Sequence, residues 1–190
     1  KVQEGPTLVI AEKPSTARSL ARALATISGC KPSIMKRESI RYYEVMVEGK
    51  LHIISPAVGH LFGLAQKGPG WEYPVFDIEW KPSWQKNKSS AFTKAYLDNF
   101  LDLGRRCTSF ISATDFDREG SVIAYNILKL ACRTEHARRM KFSTLTIPDL
   151  VRSFKSASAD LDLGQIRAGL ARHVLDWYWG INITRALTLA

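Results

Sequence analysis

Two short runs of β-branched and apolar residues, Thr7–Ala11 (TLVIA) and Thr108–Ala113 (TSFISA), constrain this chain most. Neither alternates polar with apolar, so each must be covered on both faces, as parallel strands in α/β proteins are. A helical pattern follows each run. Pro14 suits a first helical turn, and Ala17, Leu20, Ala21 and Leu24 recur at helical spacing. Behind the second run, Ser121–Leu130 reads as a helix. Alternating strands and helices predict an α/β fold with parallel strands. Tyr42–Val47 and Leu51–Ser55 read as strands of a hairpin around Glu48-Gly49-Lys50, Phe92–Leu103 as a helix ending near Gly104, and Arg139–Phe142 as a short strand. Residues 63–90, rich in Gly and Pro and carrying Trp71, Trp80 and Trp84, read as a long irregular connection.

From Ile147, with Pro148 at a helix start, the pattern is helical to the end. Leu150, Val151 and Phe154 form one apolar face; Leu170, Val174, Leu175, Tyr178 and Ile181 form another. The reading places a boundary near 145, with an α/β unit over 1–145 and the start of an all-α unit over 146–190. Arg185–Ala190 carries no capping signal, so the expectation is a piece of a longer polypeptide.

Lys and Arg number 27 against 18 Asp and Glu, a net charge of +9 over 190 residues. Such an excess points to a polyanionic partner. No apolar run approaches the roughly 20 residues that cross a bilayer. Lys1–Pro6 is polar and Leu8–Ala11 too short for a signal peptide. Cys30, Cys107 and Cys132 are widely spaced with no C-x-x-C pair, which argues against a disulfide scaffold or zinc site and for a reduced, cytoplasmic protein.

The chemistry concentrates where the two runs end. Asp115, Asp117 and Glu119 fall within five residues after the second run, in Thr114-Asp115-Phe116-Asp117-Arg118-Glu119-Gly120. Confined together they repel, unless a cation joins them; all-oxygen ligation suits Mg²⁺. Glu12 directly follows the first run, 103 residues before Asp115. If the two strands are parallel neighbours, all these carboxylates share one cleft at the strands' carboxyl ends, where ligands gather in open α/β sheets. Lys13 and Arg118 stand beside the acids as candidates to hold a phosphate, and the helix starts add positive dipole ends. Phosphoryl chemistry follows, with one carboxylate handling protons. The residues alone leave alternatives open: solvated or helix-capping acids, a structural turn at Gly59-His60, tryptophans packed under a loop instead of stacking bases, and an ordinary i,i+4 pair at Arg172–Asp176.

AEKPSTARSLARAL, SPAVGHL, SATDFDREGSVIA and ARHVLDWYWGINITRALT occur in the order found in type IA DNA topoisomerases. The chain resembles that family nearly throughout, and most closely its topoisomerase III-like branch, which includes archaeal enzymes. The resemblance implies a Rossmann-like Toprim sheet with flanking helices over 1–145, followed by the start of the helical domain that grips single-stranded DNA. It implies that Glu12 transfers protons, that Asp115, Asp117 and Glu119 bind Mg²⁺, and that Lys13 and Arg118 contact the scissile phosphate. Arg139 resembles an arginine near the DNA path. Arg172 and Asp176 resemble the pair that shapes the site for the base upstream of the cut, and Arg185 is assigned to DNA binding with them. Where bacterial topoisomerase I has Arg and Tyr near that base, this chain has Trp177 and Ile181. The family's nucleophilic tyrosine lies beyond these motifs, and Tyr42, Tyr43, Tyr73, Tyr96, Tyr125 and Tyr178 all lie in unlike surroundings. The expected partners are DNA and the remaining domains of the same polypeptide, not a membrane. Another Toprim enzyme, a primase or nuclease, and a non-catalytic nucleic-acid-binding module are the rival readings.

Overall fold

Strand β1 (Thr7–Ala11) is buried along its whole length and lies between two parallel partners, β4 (Lys50–Pro56) and β7 (Ser109–Ala113). The computed structural model describes residues 5–190; Lys1–Glu4, the polar start of the expected first unit, lie outside the described residues. Register places Val9 opposite both Ile54 and Ile111, and Ala11 opposite Ala113. The β1 and β7 ends are therefore level, and the residues that follow them start side by side. With β2 (Ser33–Arg37), β3 (Ile40–Val47) and β8 (Arg138–Arg139), the sheet has six strands in the order β2-β3-β4-β1-β7-β8. β2, β3 and β4 are antiparallel, and β4, β1, β7 and β8 parallel.

Successive side chains of β1 point to opposite faces, and each face buries its own cluster. Val9 and Ala11 join Ala17, Leu20, Ala21 and Leu24 of α1 (Pro14–Ser28). Leu8 and Ile10 join Leu97, Phe100 and Leu103 of α3 (Thr93–Arg106) and Ile123 of α4 (Arg118–Asn126). The result is a three-layer α/β/α arrangement in which each fully buried Leu or Ile contributes roughly 1.5–3 kcal/mol. Pro14 opens α1 as the sequence predicts, and Gly29, in the left-handed region at φ 65, closes it. Glu48 and Gly49 both have positive φ, which suits the tight turn between β3 and β4.

Several elements depart from the sequence reading. β2 is exposed over four of its five residues, so no apolar pattern marks it. Residues 63–90 are not wholly irregular: β5 (Phe62–Gln66) pairs with β6 (Ile78–Pro82), followed by a short α2 (Ser83–Lys86). Helix α4 begins at Arg118, earlier than Ser121, because the Asp117 carboxylate caps it; its end widens into a π turn over Ile127–Ala131. The strand expected over Arg139–Phe142 is the two residues Arg138–Arg139. The helical tail is two helices, α5 (Ile147–Lys155) and α6 (Leu163–Leu189), separated by a bridge between Ser158 and Arg139. Leu150 and Phe154 of α5 sit in the α1 cluster. Gly169 lets α6 close on α4, since a Cβ there would stand 2.5 Å from Val122 Cγ2 and 3.0 Å from the Arg118 carbonyl. No helix among the described residues is long and apolar enough to cross a membrane, and all three cysteines are free.

Candidate active site

The level ends of β1 and β7 bring Glu12 and Asp115 into direct contact: Glu12 Oε2 accepts the Asp115 backbone N–H at 3.1 Å. Burial raises the Glu12 pKa above the ordinary carboxylate value. The charges of Asp115 and Asp117 add to that rise, while the Asp115 N–H and Lys13 oppose it. Lys13 Nζ lies 3.3 Å from Asp115 Oδ2, an exposed pair of little structural worth. Asp117 Oδ1 accepts the Gly120 N–H at 2.7 Å, so it is at once an acid of the cluster and the N-cap of α4. Arg118 is exposed at the first position of α4.

Glu12→Gln is expected to raise the melting temperature at pH 7 by about 1–3 °C. Glutamine can still accept the Asp115 N–H but brings no charge to the cluster. The sign follows from linkage. A carboxyl whose pKa is raised on folding favours the folded state at low pH and loses that contribution as pH rises through the folded pKa. Thermal melts of both proteins at pH 7 and pH 4 check this, with the difference vanishing at pH 4.

Glu119 is turned away from the other acids. Its Oε2 accepts from His60 Nε2 and from His173 Nε2, each at 3.0 Å, and Arg172 Nη1 lies 3.8 Å from Oε1. Burial works to raise the Glu119 pKa, but the two histidines outweigh it and hold the group below the ordinary value. The His60 pKa is lowered by burial. His60 reaches the site because the chain after β4 stays beside β1, with the Ala57 N–H donating to the Ala11 carbonyl at 2.7 Å. Gly59 turns there at φ 79.

Arg139 does not lie on a surface open to DNA. It is 1% exposed, and its guanidinium donates to the carbonyls of Ser112, Thr114 and Asp115 and to the hydroxyls of Ser112 and Thr114 at 2.7–3.4 Å. Its place is behind the acid loop, holding the backbone from which Asp115 projects. Arg185 is likewise enclosed. It donates to the Glu72 carbonyl and Gln66 Oε1, each at 2.7 Å, and lies over the Trp71 ring. The resemblance assigns both to DNA binding, and in the folded chain both donate to protein oxygens. Arg172 and Asp176 form an exposed i,i+4 pair at 3.5 Å, with Arg172 also reaching the site. The tryptophans divide: Trp80 and Trp84 pack partly buried on the core, while Trp71 stays exposed. The sequence reading passed over His173, whose only signal is its place beside Arg172 on the helix, and gave Ser112 and Thr114 no role.

Glu12, Asp115 and Asp117 bring only oxygen donors to the ends of these neighbouring strands, the chemistry of a hard divalent cation that keeps several waters, but among the described residues their ligand atoms are not gathered within 4.8 Å as those of His60, Glu119 and His173 are. Glu119 is outside this set as it stands.

The Toprim domain family matches residues 7–145, the stretch that runs from β1 through the acid loop. The chain belongs to the Toprim family. DNA topoisomerase 1 of Pyrococcus furiosus is 45% identical to it over 185 residues, covering 96% of this chain and 17% of the relative. DNA topoisomerase 3 of Staphylococcus epidermidis is 32% identical, covering 96% and 25%. Full-length topoisomerase I of Thermotoga maritima superposes with a TM-score of 0.53 at 20% identity, over 89% of this chain and 24% of that one, a likeness of fold. The chain thus spans about a quarter or less of the length of these relatives. Within the Toprim region, Glu12 and the Asp115–Glu119 loop lie at the carboxyl ends of neighbouring parallel strands, the position that the α/β architecture reserves for ligands.

Proposed function

We propose that this chain is the Toprim-containing portion of a type IA DNA topoisomerase, which cuts and reseals one DNA strand through a 5′-phosphotyrosyl intermediate. The observation that carries the reading is the contact between Glu12 and the Asp115 loop across two level parallel strands, in a chain that closely resembles DNA topoisomerases over almost all its length.

In this reading Glu12 exchanges a proton with the leaving or entering oxygen at the scissile phosphate. Its raised pKa suits a group that must both hold and release a proton. Lys13 and Arg118 stabilise the charge that develops on the phosphate. Asp115 and Asp117 would hold Mg²⁺, and Glu119, freed from its histidines, would complete the acid set. When bound, the ion would neutralise charge on the DNA backbone and help to position it. Transesterification conserves the phosphodiester's energy, so no nucleotide is consumed. The nucleophilic tyrosine comes from a further part of the polypeptide, and residues 1–190 alone do not cleave DNA. Arg172 and Asp176 shape the neighbouring base site. The division falls near 145, with α5 packing back on the Toprim layer and the helical tail leading into the domain that grips single-stranded DNA. The net charge of +9 supplies affinity that falls steeply with salt. The protein works in the cytoplasm on underwound DNA.

Asp117→Asn is the discriminating variant, because asparagine caps a helix as well as aspartate does. The fold should hold while Mg²⁺ affinity, measured by calorimetry, drops by at least about tenfold. Asp115→Asn should behave the same way. Unchanged Mg²⁺ affinity in both variants contradicts the reading and favours a binding module with structural acids.

A further inference from the structure

We propose that His60, Glu119 and His173 form a second cation site, one that takes a borderline divalent metal of the zinc and cobalt class rather than Mg²⁺. The three side chains come from separate elements: the turn after β4, the first turn of α4, and the middle of α6. Their ligand atoms all lie within 4.8 Å of one another, and both imidazole Nε2 atoms stand 3.0 Å from the same carboxylate oxygen. Ligand atoms about 2.0–2.1 Å from a tetrahedral ion sit roughly 3.3 Å apart. An ion can enter between them once each imidazole carries its proton on Nδ1 instead of Nε2, which frees the Nε2 lone pairs for the metal. Two imidazole nitrogens with one carboxylate oxygen is a donor set that selects zinc or cobalt over magnesium.

The framework is held. Ser83 Oγ donates to the His60 carbonyl at 2.9 Å, and the Trp80 ring meets the edge of His173 at 5.7 Å. The three side chains keep 30%, 42% and 29% exposure, so a fourth position is open to water. Two features weaken the site relative to a permanent zinc centre. His60 Nδ1 is buried with no partner, so the outer hydrogen bond that orients a ligating imidazole is missing. Arg172 also brings positive charge to Glu119 Oε1. The site is thus suited to exchangeable binding. Occupation would keep Glu119 from the Mg²⁺-binding acids, making the ion an inhibitor of strand cleavage and rejoining. That consequence rests on the function proposed above, but the binding does not.

The experiment titrates residues 1–190 with Co²⁺ and follows its visible d–d bands, with Zn²⁺ as competitor. With Mg²⁺ in large excess to fill the carboxylates, the expected result is a single Co²⁺ site with no sulfur-to-cobalt charge-transfer band, displaced by Zn²⁺ and not by Mg²⁺. His60→Gln and His173→Gln should each weaken Co²⁺ binding by at least about tenfold. His136→Gln, at a cleft by the other end of β1, should leave binding unchanged, as should Asp115→Asn. Equal Co²⁺ affinity in the His60 and His173 variants overturns the proposal, as does loss of binding in the His136 or Asp115 variant or a sulfur band from the exposed Cys30. Co²⁺ reports this site and Mg²⁺ reports the acids, so this proposal and the function proposed above fail separately.

Discussion

Replacing Arg139 with leucine is expected to destabilise the chain by about 3–5 kcal/mol, which lowers the melting temperature by roughly 10 °C. The guanidinium is buried among five protein oxygens, and it remains cationic although burial lowers its pKa to about 10. Leucine fills part of the space but leaves the Thr114 and Asp115 carbonyls and two hydroxyls without their donor. An orphaned buried acceptor costs more than its hydrogen bond contributed. Arg139→Lys keeps the charge and loses the planar fork, so an intermediate loss is expected. The same variants should weaken Mg²⁺ binding, because the Asp115 backbone is no longer fixed. Thermal and urea melts check the first effect and calorimetry the second. A leucine variant that melts within about 2 °C of the parent would show that the guanidinium is not what holds the loop.

Gly120→Ala should cost about 2–4 kcal/mol, against the intrinsic preference of a helix for alanine. A Cβ at residue 120 stands 2.3 Å from the Asp115 carbonyl oxygen and 3.1 Å from the Asp115 nitrogen. Those atoms are backbone of the acid loop and cannot swing aside as a flexible side chain would. The Gly120 N–H is also the donor to Asp117, and its carbonyl accepts from Thr114 Oγ1, so displacing it disturbs the cap and the loop together. Gly180→Ala provides the contrast. That glycine lies in α6 with nothing within 4 Å of an added Cβ, and the substitution should stabilise by about 0.5–1 kcal/mol. Opposite signs at two helical glycines, read from paired urea melts, separate steric fit from propensity.

Much of the fold was legible because β1 and the carboxyl-terminal part of β7 are buried on both faces, which leaves non-alternating apolar runs in the sequence. Pro14 and the Glu48-Gly49 turn were readable for a different reason: each fixes backbone geometry locally. β2 was not, since an exposed edge strand carries no periodic pattern. At the site, the meeting of Glu12 with Asp115 followed from where each stands relative to its strand. The company kept by Glu119 did not, because it depends on how α6 crosses α4, and Gly169 reveals that crossing only once the two helices are placed. The surroundings of Arg139 and Arg185 were not legible either: the resemblance assigns both to DNA, whereas their burial and their bonds to protein carbonyls are properties of the folded chain.

The central claim is that these acids serve a strand-passing enzyme whose nucleophile lies elsewhere in the polypeptide. Its most direct test uses the whole protein that carries residues 1–190, incubated with single-stranded DNA labelled at its 3′ end and quenched with denaturant. The expected result is a label-bearing fragment joined covalently to the protein through its 5′ phosphate, formed by the whole protein and absent with residues 1–190 alone. Cleaved ends free of protein, or an adduct formed by residues 1–190 by themselves, would contradict it.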